Sequence, residues 1–319
     1  MHSVARLPSD AVEDVYTKHL LENVPVVVTG ACKGWRCWEE WRTADGSLDA
    51  GAVAARFGAS RVPIVLCAFD AEYGCERRQT CRLRAFLRRW MASGEGGESE
   101  SESEEEDVHM VRDHPDHNMY SVPHCFEGDW LNQWWDTHRP EDDYRFVYMG
   151  TAGQTFTPLH HDVVRSNSWS VNVVGCKLWV LFPPEETHKL LDAGGAVIPD
   201  GRHLLAWNLD DGARRRWPLA ASAVRYVVVQ DPGEAMFVPS GWYHQVHNLG
   251  PDDTLVVSIN HNWFNETTLG CVWAFLKAEL AAVRKALADS KVAPGFDPDW
   301  EAHVQLILRA NSAMNVDEF

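Results

Sequence analysis

No Cys-x-x-Cys pair occurs among the eight cysteines (Cys32, Cys37, Cys67, Cys75, Cys81, Cys125, Cys176 and Cys271), so zinc ribbons and thioredoxin-like redox chemistry are unsupported. No apolar run reaches the roughly 20 residues that a membrane-spanning helix requires. The opening residues, MHSVARLPSD, hold no apolar core of signal-peptide type. Free thiols in a reducing compartment are therefore expected, with a cytoplasmic location extending to the nucleus and no membrane partner. Positive charge is also scarce. Lys and Arg total 29 against 46 Asp and Glu, a net charge of −17, which argues against direct binding to the nucleic-acid phosphate backbone. No internal repeat is evident.

What is present is ample apolar material. Hydrophobic residues make up 45% of 319, enough for a core without disulfide staples, and the fifteen tryptophans read mainly as core and groove fillers. Much of the negative charge is local: Glu95, Glu98, Glu100, Glu102, Glu104, Glu105, Glu106 and Asp107 fall in one low-complexity stretch, 94–107. With no apolar residue to bury, that stretch is expected to be a solvated acidic insertion. An acidic surface suits a basic protein substrate and equally serves solubility.

The pattern divides the chain into three. Residues 1–107 read as α/β elements packing on a core: a helix over 10–22, a short buried strand at Val26–Gly30, Trp35, Trp38 and Trp41 on one helical face, a helix over Leu48–Phe57, a strand over Arg61–Phe69 and a helix over Arg82–Met91. Residues 108–265 hold short strands punctuated by Gly, Pro and Asp: Tyr144–Tyr148, Ser168–Val174, Lys177–Phe182, Tyr226–Gln230, Ala235–Val238, Gln245–Asn248 and Thr254–Asn260. Such a run predicts a sandwich or small barrel. Ser168–Val174 and Lys177–Phe182, with Gly175 between, read as a hairpin. Residues 266–319 become helical over Leu269–Ala288 and 299–310, laid on the barrel or used to form a homodimer.

The most informative segment is Thr157-Pro158-Leu159-His160-His161-Asp162. On a strand, residues two apart share a face, so His160 and Asp162 point together and His161 points away. An imidazole and a carboxylate, joined by a second histidine, form a facial triad that leaves coordination positions open on iron(II). A second histidine follows in Gly233–His244, which reads as turn, strand, sharp turn, then His244 opening the next strand; His247 and His261 are rival donors. Strand parity places His247 opposite His244, and His261 opposite Asn260 and Asn262.

The segment ending Gly241-Trp242-Tyr243-His244 resembles the jumonji-C signature, in which the histidine after Gly-Trp-aromatic is the distal metal ligand. The resemblance extends over most of the chain. Asp143–Tyr148, Arg165-Ser166 with Ser168–Val173, Phe237–Asn248, Ser258–Trp263 and Asn315–Phe319 are similar to the jumonji-C domain protein 4 family. It implies a mainly β fold with flanking helices, built on a double-stranded β-helix (cupin or jelly-roll) core. It also implies an iron(II)- and 2-oxoglutarate-dependent dioxygenase, assayed with ascorbate as reductant, in which His160, Asp162 and His244 hold the metal. Lys177 would pair with the 2-oxoglutarate tail and Thr157 would offer it a hydroxyl, with Ser170 and Asn260 facing the pocket. His109 stands where related enzymes often place a tyrosine against 2-oxoglutarate: either it replaces that hydrogen bond or the acidic insertion shifts the register. The implied reaction is C4 hydroxylation of a lysine of eukaryotic release factor 1, in translation termination. Three other readings share the core: a histone lysine demethylase, a catalytically inactive binding module and a cupin of different chemistry.

Overall fold

The computed structural model describes residues 2–66, 77–91, 119–138, 144–198, 211–251, 254–288 and 299–319. The acidic stretch 94–107 and His109 lie outside the described residues. Twelve strands are described: β1 (Ala5–Pro8), β2 (Val26–Thr29), β3 (Arg61–Leu66), β4 (Arg77–Arg82), β5 (Arg145–Thr151), β6 (Phe156–His160), β7 (Asn167–Val174), β8 (Cys176–Phe182), β9 (Tyr226–Gln230), β10 (Ala235–Val238), β11 (Tyr243–Leu249) and β12 (Leu255–Trp263). A six-stranded sheet runs β1-β2-β10-β7-β12-β5 and a four-stranded sheet runs β6-β11-β8-β9; β3 and β4 form a separate hairpin. The two larger sheets make the jelly-roll expected of the chain. β1 and β2, from the N-terminal segment, extend the larger sheet, with Val27 opposite Met236.

Backbone alternation decides how these sheets pack. Every residue of β7 is buried, yet its side chains alternate between Ser168, Ser170, Asn172 and Trp169, Val171, Val173. The apolar set faces outward from the sandwich and joins Val26, Val28, Phe237, Ile259 and Trp263 in a core that also takes in Trp35, Trp41, Phe57 and Leu87 of the N-terminal segment. Each such large side chain removed from water contributes roughly 1.5–3 kcal/mol. The N-terminal helical segment runs as Val12–Val15 continued by a π-helical turn, Tyr16–Leu20, and burial of Val15, His19 and Leu20 holds it there. Of the three spaced tryptophans, Trp35 and Trp41 are buried, whereas Trp38 is half-buried beneath the Arg42 guanidinium, 3.6 Å from its ring centre.

β7 and β8 do not form the expected hairpin. They belong to different sheets: Val174 pairs with Val257 of β12, while Cys176 pairs with Leu249 of β11. Gly175, at φ +73°, turns the chain from one sheet into the other. A β-carbon there would stand 2.8 Å from Val256 Cγ2 and 3.2 Å from its Cα. Alternation and a glycine are common to a hairpin and to a sheet-changing corner, and the latter wins because it buries β8 against a second set of partners. The helix Trp130–His138 was not anticipated; it is capped by Asp129, which accepts from the Asn132 amide at 2.9 Å.

The helices Leu269–Ala286 and Trp300–Ser312 close one end. Val272 and Leu276 pack with Leu131, Trp135, Val164, Phe264 and Met314. No helix among the described residues is long and apolar enough to cross a membrane.

Gly175→Ala is expected to cost roughly 1–3 kcal/mol, from a strained left-handed residue and a crowded β-carbon. The midpoint of urea unfolding should fall accordingly, and an unchanged midpoint would remove the sheet-changing corner from the account.

Candidate metal and co-substrate site

Strand register lines up the polar faces of the two sheets. On the smaller sheet, His160 pairs with His244 and His244 with Leu181; one step on, Thr157 pairs with Val246 and Val246 with Trp179; then Asn248 pairs with Lys177 and Lys177 with Gln230. On the larger sheet, Met236, Ser170, Asn260 and Phe146 form one aligned row, with Ser168 and Asn262 on one side of it and Asn172 and Ser258 on the other. Lys177 donates to Ser258 Oγ across the sandwich, so the two polar faces look at one another.

At one end of this slot, donor atoms of His160, Asp162 and His244 all lie within 4.8 Å of one another. Asp162 Oδ1 is 4.0 Å from His160 Nε2 and its Oδ2 is 4.0 Å from His244 Nε2. Each imidazole is oriented through its other nitrogen: His160 Nδ1 lies 2.8 Å from the Pro158 carbonyl oxygen and His244 Nδ1 lies 3.2 Å from that of Trp242. With Nδ1–H donated, the Nε2 lone pairs are left for a cation. Burial pushes the Asp162 carboxyl up, but the facing His244 and His160 and hydrogen bonds from Ser168 and Asn262 outweigh it, and the net direction is down. Burial, followed by the neighbouring His160, pushes His244 down. An ionised carboxylate beside a neutral imidazole is the protonation pattern a divalent metal requires. Asp162 Oδ2 is buried with no hydrogen-bond partner, which a cation would satisfy. The donor set therefore fits iron(II), with three protein ligands and open positions.

The chain leaves Asp162 through two left-handed residues, Val164 at φ 45° and Arg165 at φ 53°. A β-branched residue there is a genuine outlier costing roughly 1–3 kcal/mol. Packing overrides the cost: Val164 is buried against Val272 and Leu276, and Ser240 Oγ donates to the Arg165 carbonyl at 2.6 Å. His161 turns away from the metal-facing side, its ring 5.1 Å from that of Tyr243 and 6.1 Å from that of Phe275.

At the other end, Lys177 is 5% exposed, and burial pushes its ammonium down to about 7. Ser258, which accepts the Lys177 hydrogen bond, in turn donates to Asn260 Oδ1 at 2.7 Å. Ser170 is buried with its Oγ unpartnered, and Asn172 Oδ1 is likewise unpartnered. Thr157 is exposed, on the strand face shared with Val246 and Trp179. The structure thus brings together the metal-site residues with Lys177, Ser170, Asn260 and Thr157 on facing surfaces. His247 packs elsewhere, 5.7 Å from the Phe156 ring, and His261 lies on the opposite face of the larger sheet, stacked 4.1 Å from Trp169.

Sequence reasoning missed Ser168 and Asn262, which favour the charged form of Asp162, Ser258, which partners Lys177, and Gln230, which accepts from Trp179. The signal was available: Ser168-x-Ser170-x-Asn172 and Ser258-x-Asn260-x-Asn262 alternate polar with large apolar residues, a two-faced pattern in strands too apolar to be exposed.

The cupin-like domain family matches residues 12–268. Among curated relatives, the chain is 38% identical over 303 residues to the human 2-oxoglutarate and iron-dependent oxygenase JMJD4, covering 94% of this chain and 69% of that protein. It is 35% identical over 307 residues to the Danio rerio protein of the same name, covering 95% and 69%. A third relative, named arginine-specific demethylase JMJ20 in Arabidopsis thaliana, is 33% identical over 320 residues, covering 96% and 66%.

Asp162→Ala is expected to abolish iron(II) binding in equilibrium titration while the far-ultraviolet circular dichroism persists. Asn262→Ala should weaken iron affinity by about 10–100-fold, because it loosens the carboxylate without removing it. Wild-type affinity in Asn262→Ala would take that amide out of the site.

Proposed function

The chain belongs to the cupin-like domain family and, within it, to the 2-oxoglutarate and iron-dependent oxygenases, and we propose that it is a protein lysyl hydroxylase acting on C4 of a lysine in eukaryotic release factor 1. The observation that carries the oxygenase chemistry is one slot holding both halves of the requirement: a His-Asp-His cluster at one end and a buried lysine at the other. The release-factor assignment is supported by the resemblance of Asp143–Tyr148, Ser168–Val173 and Ser258–Trp263 to a hydroxylase family of that specificity, and by the charge of −17, which suits a basic target. It would place the protein in the cytoplasm, at translation termination.

In this reading His160, Asp162 and His244 hold iron(II), with Ser168 and Asn262 fixing the carboxylate. Lys177 binds the distal carboxylate of 2-oxoglutarate as a charge-assisted pair, aided by Thr157, while Ser258, Asn260 and Ser170 present hydroxyl and amide groups along the slot; His109 is assigned to the same co-substrate. Iron(II) and 2-oxoglutarate, once bound, would activate dioxygen, the oxidant, so that one of its atoms enters a substrate C–H bond and the other enters the keto acid, which is oxidised to succinate and carbon dioxide. The protein's part is to orient these groups and to exclude water and stray C–H bonds. The name of the Arabidopsis thaliana relative favours a second reading, oxidation of an arginine N-methyl group, which begins from the same C–H insertion.

Mass spectrometry of a release factor 1 fragment, incubated with protein, iron(II), ascorbate and 2-oxoglutarate, separates these. One added oxygen on a lysine, absent with His244→Ala, is the expected outcome. Succinate without added oxygen would redirect the search for a substrate, and formaldehyde release from a methylarginine peptide would establish the second reading.

Lys177 also gives a pH dependence. Its folded value of about 7 lies below the ordinary 10.5, so in that window the unfolded chain carries the extra proton and stability rises with pH. A carboxylate paired with the ammonium favours its charged form, so binding takes up a proton above pH about 7 and the KM for 2-oxoglutarate should rise there. Lys177→Met should raise KM throughout and flatten that slope; a slope that survives would assign it to another group.

A further inference from the structure

On the outer face of the larger sheet, the apolar core holds a polar group that the proposed reaction does not use. Ser168 and Asn262, whose hydrogen bonds favour the ionised Asp162, are paired across β7 and β12, and the next pair along the same strands is Trp169 with His261. Strand alternation sends that second pair to the reverse side, where the imidazole stacks on the indole with ring centres 4.1 Å apart. His261 and Trp169 are 2% and 1% exposed. The Tyr120 hydroxyl lies 2.6 Å from His261 Nε2, and Asp129 Oδ2 lies 3.8 Å from the other ring nitrogen, Nδ1. Asn132 Nδ2 donates both to Asp129 Oδ2 at 2.6 Å and to the Asn262 carbonyl at 2.8 Å, so the group is tied to the residue that faces Asp162. Tyr120 is half-buried, and of the three rings it has the most contact with solvent; its centre stands 6.4 Å from that of Trp169.

A phenol hydrogen-bonded to a neutral imidazole can lose an electron and its proton together, because the proton crosses an existing bond to Nε2. The imidazolium so formed would be a buried charge, and Asp129 faces it. We propose that Trp169, His261 and Tyr120 form an oxidative outlet, which supplies electrons to the metal site when no substrate C–H bond is in place and so spares the slot from oxidation. The proposal rests on the oxygenase reading and not on the release-factor assignment. In a turnover without substrate, the keto acid takes up one atom of dioxygen and leaves as succinate and carbon dioxide. The other atom must become water, which takes two electrons and two protons. Tyr120 gives one electron, by way of the His261–Trp169 stack and the strands that carry Asn262 and Ser168 to Asp162, while its phenolic proton moves to His261 Nε2. A small reductant of the ascorbate class then returns an electron to Tyr120, the proton returns from Nε2, and the reductant's own proton goes to solvent. A second round supplies the second electron, and solvent supplies the two protons of the water. Two molecules of reductant are each oxidised by one electron, and no bond of the chain is broken.

The test mixes the full chain, loaded with iron(II) and 2-oxoglutarate, with dioxygen in the absence of protein substrate and ascorbate, and freezes samples at intervals for electron paramagnetic resonance. A tyrosyl radical is expected in the wild-type protein and its loss in Tyr120→Phe, with iron affinity by titration unchanged in that variant. His261→Leu, which removes the proton acceptor, should lower the radical yield several-fold although Tyr120 remains. 3-Fluorotyrosine placed at position 120 guards against a misfolded variant, because fluorine splitting of the signal assigns the radical to that ring. Peptide mapping gives a second readout: at equal succinate formed, Tyr120→Phe should carry several-fold more added oxygen on residues of the slot. Succinate formed without a radical, or a radical unaltered by phenylalanine or fluorine at position 120, would overturn the outlet and leave the oxygenase reading standing. Iron-loaded protein that forms no succinate would overturn both.

Discussion

The pleat of a β-strand sends successive side chains to opposite faces, and in this protein the two faces of the central strands carry opposite chemistry. β7 and β12 turn Trp169, Val171, Ile259 and Trp263 toward the N-terminal helices and Ser168, Ser170, Asn172, Ser258, Asn260 and Asn262 toward the second sheet. A one-residue slip in either strand would exchange the sets, placing amides in the apolar core and indoles against the metal cluster. The register between β7, β10 and β12 is therefore at once the condition for a stable core and the condition for a site. Gly175 extends that dependence to the smaller sheet, because the corner there delivers Lys177 facing Ser258.

Burying so many polar groups is costly unless they are paired, roughly 1–3 kcal/mol for each left alone. The structure divides them into two groups. Gln230, Trp179 and Glu234 form a closed network whose partners are all protein atoms, and it serves as scaffold. Asp162 Oδ2 and Ser170 Oγ keep buried, unpartnered atoms, and both lie on the polar faces that bound the slot. A similar division appears in the backbone. The left-handed Val164 and Arg165 are tolerated just beyond Asp162 because the helix Leu269–Ala286 and Ser240 over-determine that turn. Stability generated in the outer core thus offsets strain and unpaired polarity at the site, as is usual where a binding constellation is preorganised.

How much of this could be read beforehand follows the range of the interactions. Strand alternation and local punctuation are short-range, so Tyr226–Gln230 and Ala235–Val238 match the structure to the residue and the two C-terminal helices differ by few residues at their ends. His160 and Asp162 share a face for the same reason. The pairing of β7 with β10 and β12 rather than with β8 is long-range, and nothing local distinguishes a hairpin from a corner at Gly175. The helix Trp130–His138 went unread because Asn132, among its buried residues, is polar and serves long-range partners, donating to the Asn262 carbonyl and accepting from the Tyr144 amide. The alternation displays Ser168 and Asn262, but neither is a metal donor by residue type, and only the folded structure sets them beside Asp162.

The residues that identify the chemistry lie on the facing surfaces of the two sheets, and the metal cluster is open at its His160 end, where that side chain is 40% exposed. Relatives named as 2-oxoglutarate and iron-dependent oxygenases and one named as an arginine-specific demethylase align with the same span of this chain. Hydroxylation of a side-chain carbon and removal of an N-methyl group require the same insertion into a C–H bond; they differ in which C–H is held over the open coordination positions. What separates them must then be the rim, where strand ends and connecting segments meet the target, and rims vary with little cost to the fold. A substrate assignment for this chain is accordingly a statement about its rim, and the interior that fixes the reaction class is indifferent to it.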